Sequence, residues 1–324
     1  MRFVIFGSGA IGGTVGGKLA DAGQEVALIA RGAHGAAIRE RGLRLETPEG
    51  AIAVKPSVVE HPAQLTWRAD DVVLLAVKSQ DAAVALRDLA AVAPPEIAVA
   101  CLTNGLEAER LALRHFARVL GVTVFAPATF LQPGVIEVWS SPVAGVLDLG
   151  SYPEQPDGVD LLGNSLMAIW NSSGFSARVH ADVMRHKRGK LLANLANAAE
   201  ALCGPVARKG RLAEALREEG LACYTAAALS TTTPAEDAER WALVKPKQLL
   251  GRTRGGGSTW QSLARGADRV ECDYLNGEIA LMGRLHGVAT PINERLQRLI
   301  AAAAREGVTP GTMELAELET KVGL

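Results

Sequence analysis

Residues 2–12 read RFVIFGSGAIG, and this stretch decides the fold of the N-terminal part of the chain. The apolar run at 2–6 is rich in strand-forming residues and predicts a buried strand. The next six residues fit the pattern G-x-G-x-x-G and open a helical stretch that extends to about Ala22. A glycine turn between a strand and a helix, at the start of a βαβ unit, is typical of dinucleotide-binding domains.

The glycine turn has a physical role at each glycine position. Gly7 allows the tight turn, Gly9 lets a pyrophosphate approach the backbone, and Gly12 lets the helix pack closely on the strand. The free N–H groups and the dipole at the start of the helix favour an anion. The alternative is a glycine turn that holds no ligand. We predict that the cofactor phosphates contact Gly7, Ser8, Gly9, Ala10, Ile11 and Gly12.

The end of the second strand, EVALIA at 25–30, distinguishes between the two nicotinamide cofactors. Sites specific for NAD usually place Asp or Glu there to hold the ribose 2′-hydroxyl, whereas an arginine can pair with the 2′-phosphate of NADP. This chain has Ala30 followed by Arg31. We therefore predict NADPH as the cofactor, with a solvated surface arginine as the alternative.

Further strands follow the second one. Continuous apolar runs at 71–77, 97–102 and 119–124 lack the alternation of a half-exposed strand, which favours a parallel sheet covered on both faces. Shorter strand signals flank a turn at 48–50, and two more, which we expect to extend the sheet, occur near 135–138 and 143–149.

The character of the sequence changes near residue 180. From Asp182 onward helical patterns dominate, at 182–202, 209–230, 234–250, 259–285 and 292–305. The sequence therefore predicts an α/β protein. We expect a Rossmann domain with a parallel sheet at 1–181 and an all-helical domain at 182–324.

Composition excludes several classes of function. The 324 residues include 34 Lys and Arg against 35 Asp and Glu, so no basic field attracts nucleic acid. The sequence has no uncharged apolar stretch of about 18 residues and predicts no membrane span. The four cysteines form no C-x-x-C pair, and no histidine cluster has metal-ligand spacing. We expect reduced thiols, a cytoplasmic protein and no bound metal.

Five further motifs are spread in order along the chain, and the last two are far more specific than the glycine turn. They are LLAVKSQD (74–81), LTNGLE (102–107), KLLANLAN (190–197), VECDYLNGEI (270–279) and HGVATPINERL (286–296). With these motifs the chain resembles the ketopantoate reductase (2-dehydropantoate 2-reductase) family. The resemblance implies NADPH-dependent reduction of a 2-oxo acid in pantothenate biosynthesis, with ketopantoate to pantoate as the best guess.

The resemblance also implies a proton donor. In the family, the lysine that opens a K-x-x-x-N motif protonates the ketone, and here it is Lys190, followed by Asn194. On one continuous helix, Lys190, Asn194 and Asn197 would form a single polar stripe that suits a polar substrate. The chain departs from the family at Ala198, where the second asparagine usually stands. The alternatives are a solvated Lys190 or its neighbour Lys187.

The family's glutamate at the start of E-x-D-Y-x-N-G corresponds to Glu271, which the resemblance places against substrate and the catalytic lysine. A carboxylate near the lysine would orient its ammonium group. Asp273 is the rival acid, two residues away. The alternative for Glu271 is an ordinary surface carboxylate.

Three more residues complete the predicted site. Asn104 ends a buried strand, and the carboxyl edge of a sheet is where α/β proteins bind ligands. The resemblance places Asn104 between cofactor and substrate, Lys78 at the cofactor, and Ser258 at the substrate carboxylate, with Thr259 as the close alternative. Each has a plainer alternative as a turn or loop residue.

Three other functions stay open beside this reductase. A paralogue would reduce another branched oxo acid, and a sensor would bind NADP without catalysis. A β-hydroxyacid dehydrogenase would also use a helix lysine with an asparagine, but it leaves the E-x-D-Y-x-N-G segment without a role. The partner we predict is a small 2-oxo acid, and the sequence leaves open a homodimer.

Overall fold

The computed structural model describes residues 1–155, 160–249 and 251–324. The chain divides into two compact units. The first unit comprises Met1–His186 and Thr233–Arg254, and the second comprises Lys187–Thr232 and Gly255–Leu324.

The first unit alternates strands and helices along most of its length. Its elements are β1 (Arg2–Phe6), α1 (Ala10–Asp21), β2 (Glu25–Ile29), α2 (Gly32–Arg41), β3 (Leu43–Thr47), β4 (Gly50–Val54), β5 (Ser57–Val59), β6 (Asp71–Leu75), α3 (Ala82–Ala90), β7 (Ala98–Cys101), α4 (Ala108–Leu113), β8 (Arg118–Phe125), β9 (Ala128–Thr129), β10 (Val135–Val138), β11 (Val146–Tyr152), α5 (Leu161–Ser172), β12 (Ser176–Val179), the start of α6 (Val183–Asn194) and α9 (Pro234–Trp241).

The main sheet has the strand order β12-β11-β8-β7-β6-β1-β2-β5. Neighbouring strands are parallel except for β11, which runs antiparallel to β8. Alternate residues of β1 enter two different cores: Phe3 and Ile5 face one, Val4 and Phe6 the other. Both faces of the sheet are therefore buried, as the continuous apolar strands predicted. The predicted α/β fold class is confirmed.

A second sheet corrects one expectation. The segment at 135–138, expected to extend the main sheet, instead forms β10 in a separate sheet of order β4-β3-β10-β9. Glycines on α1 allow this sheet to approach: a Cβ on Gly13 would lie 2.7 Å from Ile136, and one on Gly17 would lie 2.7 Å from Leu45. The segment at 143–149 does join the main sheet, as β11.

The segment 233–254 lies in the predicted helical domain, but its contacts are with the first unit. Arg240 pairs with Asp148 of β11 through Nε, at 2.9 and 3.1 Å from the two carboxylate oxygens. The ring of Trp241 stacks on Phe125 with centroids 5.0 Å apart. The helix predicted at 234–250 ends at Trp241, and residue 250 lies outside the described residues. A single boundary at 181/182 remains a prediction.

The described residues of the second unit form helices joined by loops, with no named strand. After the rest of α6 it contains α7 (Asn197–Cys203), α8 (Arg211–Ala226), α10 (Ser258–Ala264), α11 (Asn276–His286), α12 (Pro291–Arg305) and α13 (Leu315–Val322). Across both units, no helix among the described residues is long and apolar enough to span a membrane.

Two of the predicted helices are wrong in their continuity. The stretch 182–202 is interrupted between α6 and α7, and 259–285 consists of α10, a 3₁₀ helix at Glu271–Tyr274 and α11. At the first break, the side-chain amide of Asn276 donates to the Leu195 carbonyl at 3.0 Å. That hydrogen bond satisfies a carbonyl in the gap between the two helices.

Candidate active site

The glycine turn joins β1 to α1 and has the shape that a pyrophosphate needs. Gly7 has φ +96°, and a Cβ there would lie 2.8 Å from the Val77 nitrogen. A Cβ on Gly12 would lie 2.0 Å from the Gly7 carbonyl oxygen, so the helix packs directly on the turn. A Cβ on Gly9 would meet no heavy atom of the described residues within 4 Å, which leaves the backbone there open to a ligand. These residues fit a dinucleotide.

The turn also lies where the strand order of the sheet changes direction. β1 has β2 on one side and β6 on the other, and α/β proteins bind ligands at the carboxyl ends of strands at such a point. The first turn of α1 contains no acidic residue, so its N–H groups and dipole favour an anion.

Arg31 follows β2 and precedes α2, at the predicted position for a 2′-phosphate. Its side chain is 59% exposed, and its guanidinium lies 3.5 Å from the Asp88 carboxylate. His61 lies 3.5 Å from the same carboxylate. Because the pair is long and exposed, it holds Arg31 only weakly and leaves the guanidinium available to a stronger anion.

Lys78 and Asn104 lie at the same carboxyl edge, in the loops that follow β6 and β7. Lys78 immediately precedes a 3₁₀ helix at Ser79–Asp81, and both Lys78 and Asn104 are half-buried. The Ser79 hydroxyl donates to the Asn104 carbonyl at 2.8 Å. This hydrogen bond joins the two loops, so the predicted residues Lys78 and Asn104 lie in loops that are in direct contact.

The helical unit carries Lys190 and Asn194 one turn apart on α6. Lys190 is half-buried, and Asn194 is 8% exposed. Their i, i+4 spacing places them on one face of the helix, as predicted. The rival Lys187 is 3% exposed, so it is far more buried than its spacing suggested.

Asn197 does not continue that stripe, because the helix breaks before it. It begins α7 and is 3% exposed, and its side-chain oxygen accepts a hydrogen bond from Arg208 at 2.7 Å. The prediction of one stripe through Lys190, Asn194 and Asn197 is wrong in its last member. The two residues between α6 and α7 interrupt the helical register that the stripe assumed.

The loop before Ser258 is held by a small charged network. Arg208 lies 3.0 Å from the Glu200 carboxylate, which also accepts the Gly257 N–H at 3.2 Å. Arg208 and Glu200 thus connect Asn197 to the loop, and no spacing in the sequence indicated them. Ser258 begins α10 and is half-buried, whereas Thr259 is 4% exposed.

Glu271 lies in the 3₁₀ helix rather than in a long α-helix. It is 4% exposed, whereas Asp273 is exposed and accepts a hydrogen bond from the Gln297 amide at 2.8 Å. A carboxylate buried to that extent requires partners, whereas an exposed one does not. The contrast in burial favours Glu271 over its rival.

Asn276 is a residue that sequence reasoning missed. It is 1% exposed, and its amide donates to the Leu195 carbonyl and, at 2.9 Å, to the side-chain oxygen of Asn293. It therefore positions the end of the helix that carries Lys190 and Asn194. Its place inside the E-x-D-Y-x-N-G segment was the available signal.

One group in the first unit brings three possible metal ligands close together. Donor atoms of Asp148, His180 and His186 all lie within 4.8 Å of one another. Burial, together with nearby His180, lowers the pKa of His186 to about 4, so its ring is neutral. However, the guanidinium of Arg240 already holds Asp148, and its permanent charge disfavours a divalent cation there.

The fold and the glycine turn together define a dinucleotide-binding protein of the Rossmann class. The family model "Ketopantoate reductase PanE/ApbA" matches residues 3–153, and "Ketopantoate reductase PanE/ApbA C terminal" matches residues 182–304. A 2-dehydropantoate 2-reductase from Halobacterium salinarum is 30% identical, over 95% of this chain and 100% of the relative.

Solved structures agree with these matches. The PanE/ApbA family ketopantoate reductase from Ralstonia eutropha has a TM-score of 0.78 and 29% identity, over 95% of this chain and 99% of the other. D-mandelate dehydrogenase, in a ternary structure with NADH and anilino(oxo)acetate, shares the fold at a TM-score of 0.80 and 22% identity, over 95% and 99% of the two chains.

The chain belongs to the ketopantoate reductase family, and the resemblance seen in its motifs is confirmed. It is accordingly an NADP-dependent oxidoreductase, and NADPH is the cofactor of its family.

Proposed function

We propose that this protein reduces a 2-oxo acid to a 2-hydroxy acid with NADPH, and that its substrate is 2-dehydropantoate, which becomes pantoate. The observation that carries the proposal is the match along nearly the whole chain to a relative named 2-dehydropantoate 2-reductase. A product of this kind would place the enzyme in pantothenate biosynthesis.

NADPH, when bound, would supply the hydride that reduces the ketone carbon. Negative charge then develops on the substrate oxygen, and Lys190 donates a proton to it. Asn194, one turn away, would donate a hydrogen bond to the substrate, and Glu271 would hold a substrate hydroxyl and orient the ammonium of Lys190. We propose that Ser258 binds the substrate carboxylate, with Asn197 and Asn104 as further substrate contacts.

The first unit would hold the cofactor. The turn from Gly7 to Gly12 supplies backbone N–H groups for the pyrophosphate, and Arg31 pairs with the 2′-phosphate. Lys78 and Asn104 would contact the cofactor from the two loops tied by Ser79. The open Cβ position at Gly9 supports this assignment.

A panel of 2-oxo acids tests the activity directly. We expect NADPH oxidation to be fastest with 2-dehydropantoate. The loss of NADPH absorbance would measure the rate. Tight NADPH binding without turnover on any acid would instead indicate a sensor, and NADP-dependent oxidation of β-hydroxy acids would indicate a dehydrogenase of that type.

A reductase for another branched oxo acid is the second candidate, because one substrate contact of the family is altered here. Asn197 already accepts a hydrogen bond from Arg208, and Ala198 offers no side-chain amide. Turnover of a different branched acid at a higher kcat/KM than 2-dehydropantoate would favour this candidate.

Arg31 gives the first prediction, which concerns cofactor preference. Arg31→Ala is expected to weaken NADPH binding by about 1.5–3 kcal/mol, the range for a hydrogen bond to a charged group, and to leave NADH binding nearly unchanged. Fluorescence titration with both cofactors measures this. Arg39→Ala, on α2, the helix that follows Arg31, is the matched control, because Arg39 pairs with Glu60. Equal losses for both cofactors would contradict the assignment.

Glu271 gives the second prediction, which separates substrate from cofactor. Glu271→Gln is expected to lower kcat/KM by about 10- to 150-fold, the effect of losing a charged hydrogen bond, while the Kd for NADPH stays constant. Asp273→Asn, two residues away and exposed, should have wild-type kinetics. A changed NADPH affinity with normal turnover at saturation would rule out the substrate role.

We also propose a homodimer in the cytoplasm. Leu281 and Leu285 lie one turn apart on α11 and are 45% and 69% exposed, which suits a contact between two copies. The four cysteines are free thiols, as expected in a reducing compartment. Light scattering of the purified protein would give the mass of the assembly.

A further inference from the structure

His34 is a buried histidine that neither the fold nor the proposed reaction explains. It lies in the first turn of α2, three residues after Arg31, and is 9% exposed. Its Nε2 lies 2.8 Å from the Ser8 carbonyl oxygen, and its Nδ1 accepts the Gly134 N–H at 2.9 Å. The ring of Phe130 packs on it with centroids 4.3 Å apart.

These contacts define the tautomer. Because Gly134 donates to Nδ1, the single proton of the neutral ring is on Nε2, from where it is donated to the Ser8 carbonyl. Burial lowers the pKa of His34, although the Ser8 hydrogen bond opposes this, so the ring is neutral at physiological pH. A second proton on Nδ1 would face the Gly134 N–H and break that hydrogen bond.

The carbonyl that His34 holds belongs to the glycine turn. In a trans peptide the C=O and N–H point in opposite directions, so a fixed Ser8 carbonyl also fixes the Gly9 N–H on the side away from His34. Gly9 precedes the first residue of α1, and its Cβ position is open. Rotation of this peptide would turn a carbonyl oxygen, instead of an N–H group, toward an anion.

Gly134, which donates to Nδ1 on the other side of the ring, is itself fixed by the backbone. Gly134 has φ +82°, and its own carbonyl accepts the Arg44 N–H of β3 at 3.0 Å. His34 therefore connects three segments: the glycine turn after β1, the start of α2 beside Arg31, and the turn that precedes β10.

We propose that His34 is a positioning residue for the cofactor: its neutral ring holds the Ser8–Gly9 peptide of the phosphate-binding turn in the orientation that receives NADPH. The inference rests on the proposed cofactor site. His34 acts through Ser8 and Gly9 and touches no reacting atom.

Two amide variants separate the two hydrogen bonds. In His34→Gln the amide nitrogen can reach the position of Nε2 and donate to Ser8, whereas in His34→Asn the amide oxygen can reach the position of Nδ1 and accept from Gly134. His34→Phe keeps the ring volume against Phe130 and removes both bonds. If His34 has only a structural role, all three variants should lower the thermal stability without the difference in NADPH affinity expected below.

We expect the Kd for NADPH to follow the Ser8 bond alone. His34→Asn and His34→Phe should weaken binding by about 2- to 13-fold, the fold-change that corresponds to one neutral hydrogen bond, and His34→Gln should restore affinity close to wild type. The KM for NADPH should rise in parallel, while kcat at saturating NADPH should stay constant. ¹⁵N NMR of the apoprotein should show the ring protonated on Nε2.

Three results would overturn the inference. They are wild-type affinity in His34→Asn and His34→Phe, a loss in His34→Gln as large as in His34→Phe, or a ring protonated on Nδ1. Wild-type protein that fails to bind NADPH would overturn the proposed cofactor site as well, whereas normal wild-type binding and turnover alongside any of the three leaves the proposed function intact.

Discussion

Replacing Lys190 with alanine is expected to lower kcat by about 10²- to 10⁴-fold, the range for a positioned general acid. The hydride leaves an alkoxide on the substrate, and an ammonium group stabilises it both by its charge and by proton transfer. The proposed function assigns this role to Lys190, which is half-buried on α6 and one turn before Asn194. Steady-state kinetics with the best 2-oxo acid would measure the loss.

Two further variants test which property of Lys190 matters. Lys190→Arg keeps the positive charge but cannot give up a proton, so it should recover only part of the lost activity. Lys187→Met is the matched control, because it keeps an aliphatic stem at a position that is 3% exposed. Near wild-type turnover in Lys190→Ala, together with a loss in Lys187→Met, would transfer the role to Lys187. Fluorescence titration should show that NADPH still binds to all three.

Removing Arg240 is expected to cost about 3–5 kcal/mol of the free energy of unfolding, the range for breaking a buried ion pair. Arg240 and Asp148 are 7% and 3% exposed, and the substitution Arg240→Met leaves a buried carboxylate without its guanidinium. Chemical denaturation would measure the loss. The double variant Asp148→Asn/Arg240→Met should lose less free energy of unfolding than the two single variants lose together, because neither charge is then left alone.

The stability of the protein should change with pH in opposite directions in the wild type and in Arg240→Met, as far as Asp148 determines it. Burial alone would raise the pKa of Asp148, but the hydrogen bonds and charge of Arg240, together with His180 at 3.6 Å, outweigh it and lower that pKa. In the wild type the carboxylate therefore contributes stability above about pH 4, and this contribution is lost as the pH falls. Without Arg240 burial dominates and raises the pKa, so the variant should gain relative stability on acidification. A deficit that grows on acidification would contradict the role of this pair.

A half-buried pair between α6 and α9 is the control. Arg185 and Glu236 form two hydrogen bonds of 2.8 Å, and Arg185 holds the pKa of Glu236 down at about 2. Their geometry is as good as that of the buried pair, but water screens them. Arg185→Met should therefore cost much less stability than Arg240→Met.

The elements that sequence reasoning predicted best are those whose signal is local. β1, the glycine turn and α1 occur as predicted, because an apolar run, a glycine pattern and a helical period lie within 22 residues of each other. Lys190 and Asn194 share a helix face for the same reason. By contrast, the Leu195 carbonyl in the break before Asn197 accepts its hydrogen bond from Asn276, 81 positions away, and no local pattern contains that contact.

The burial of the candidate acids and bases was likewise beyond the sequence. Glu271 and Asp273 both carry carboxyl groups, and only packing shows that the first is 4% exposed and the second faces solvent. The same holds for His34, a histidine in a helical stretch whose two ring nitrogens meet Ser8 and Gly134.

By itself the sequence determined the class of fold, the family, the glycine turn and the order of the motifs, since each of these signals lies in contiguous residues. Only the tertiary structure decided that 233–254 packs with the sheet of the first unit, that β10 belongs to a second sheet, and that Asn197 pairs with Arg208. The physical reason is the same in each case: the deciding partner of a buried polar group or a strand edge is distant along the chain. Hydrogen bonding and burial are satisfied in three dimensions, whichever segment supplies the partner.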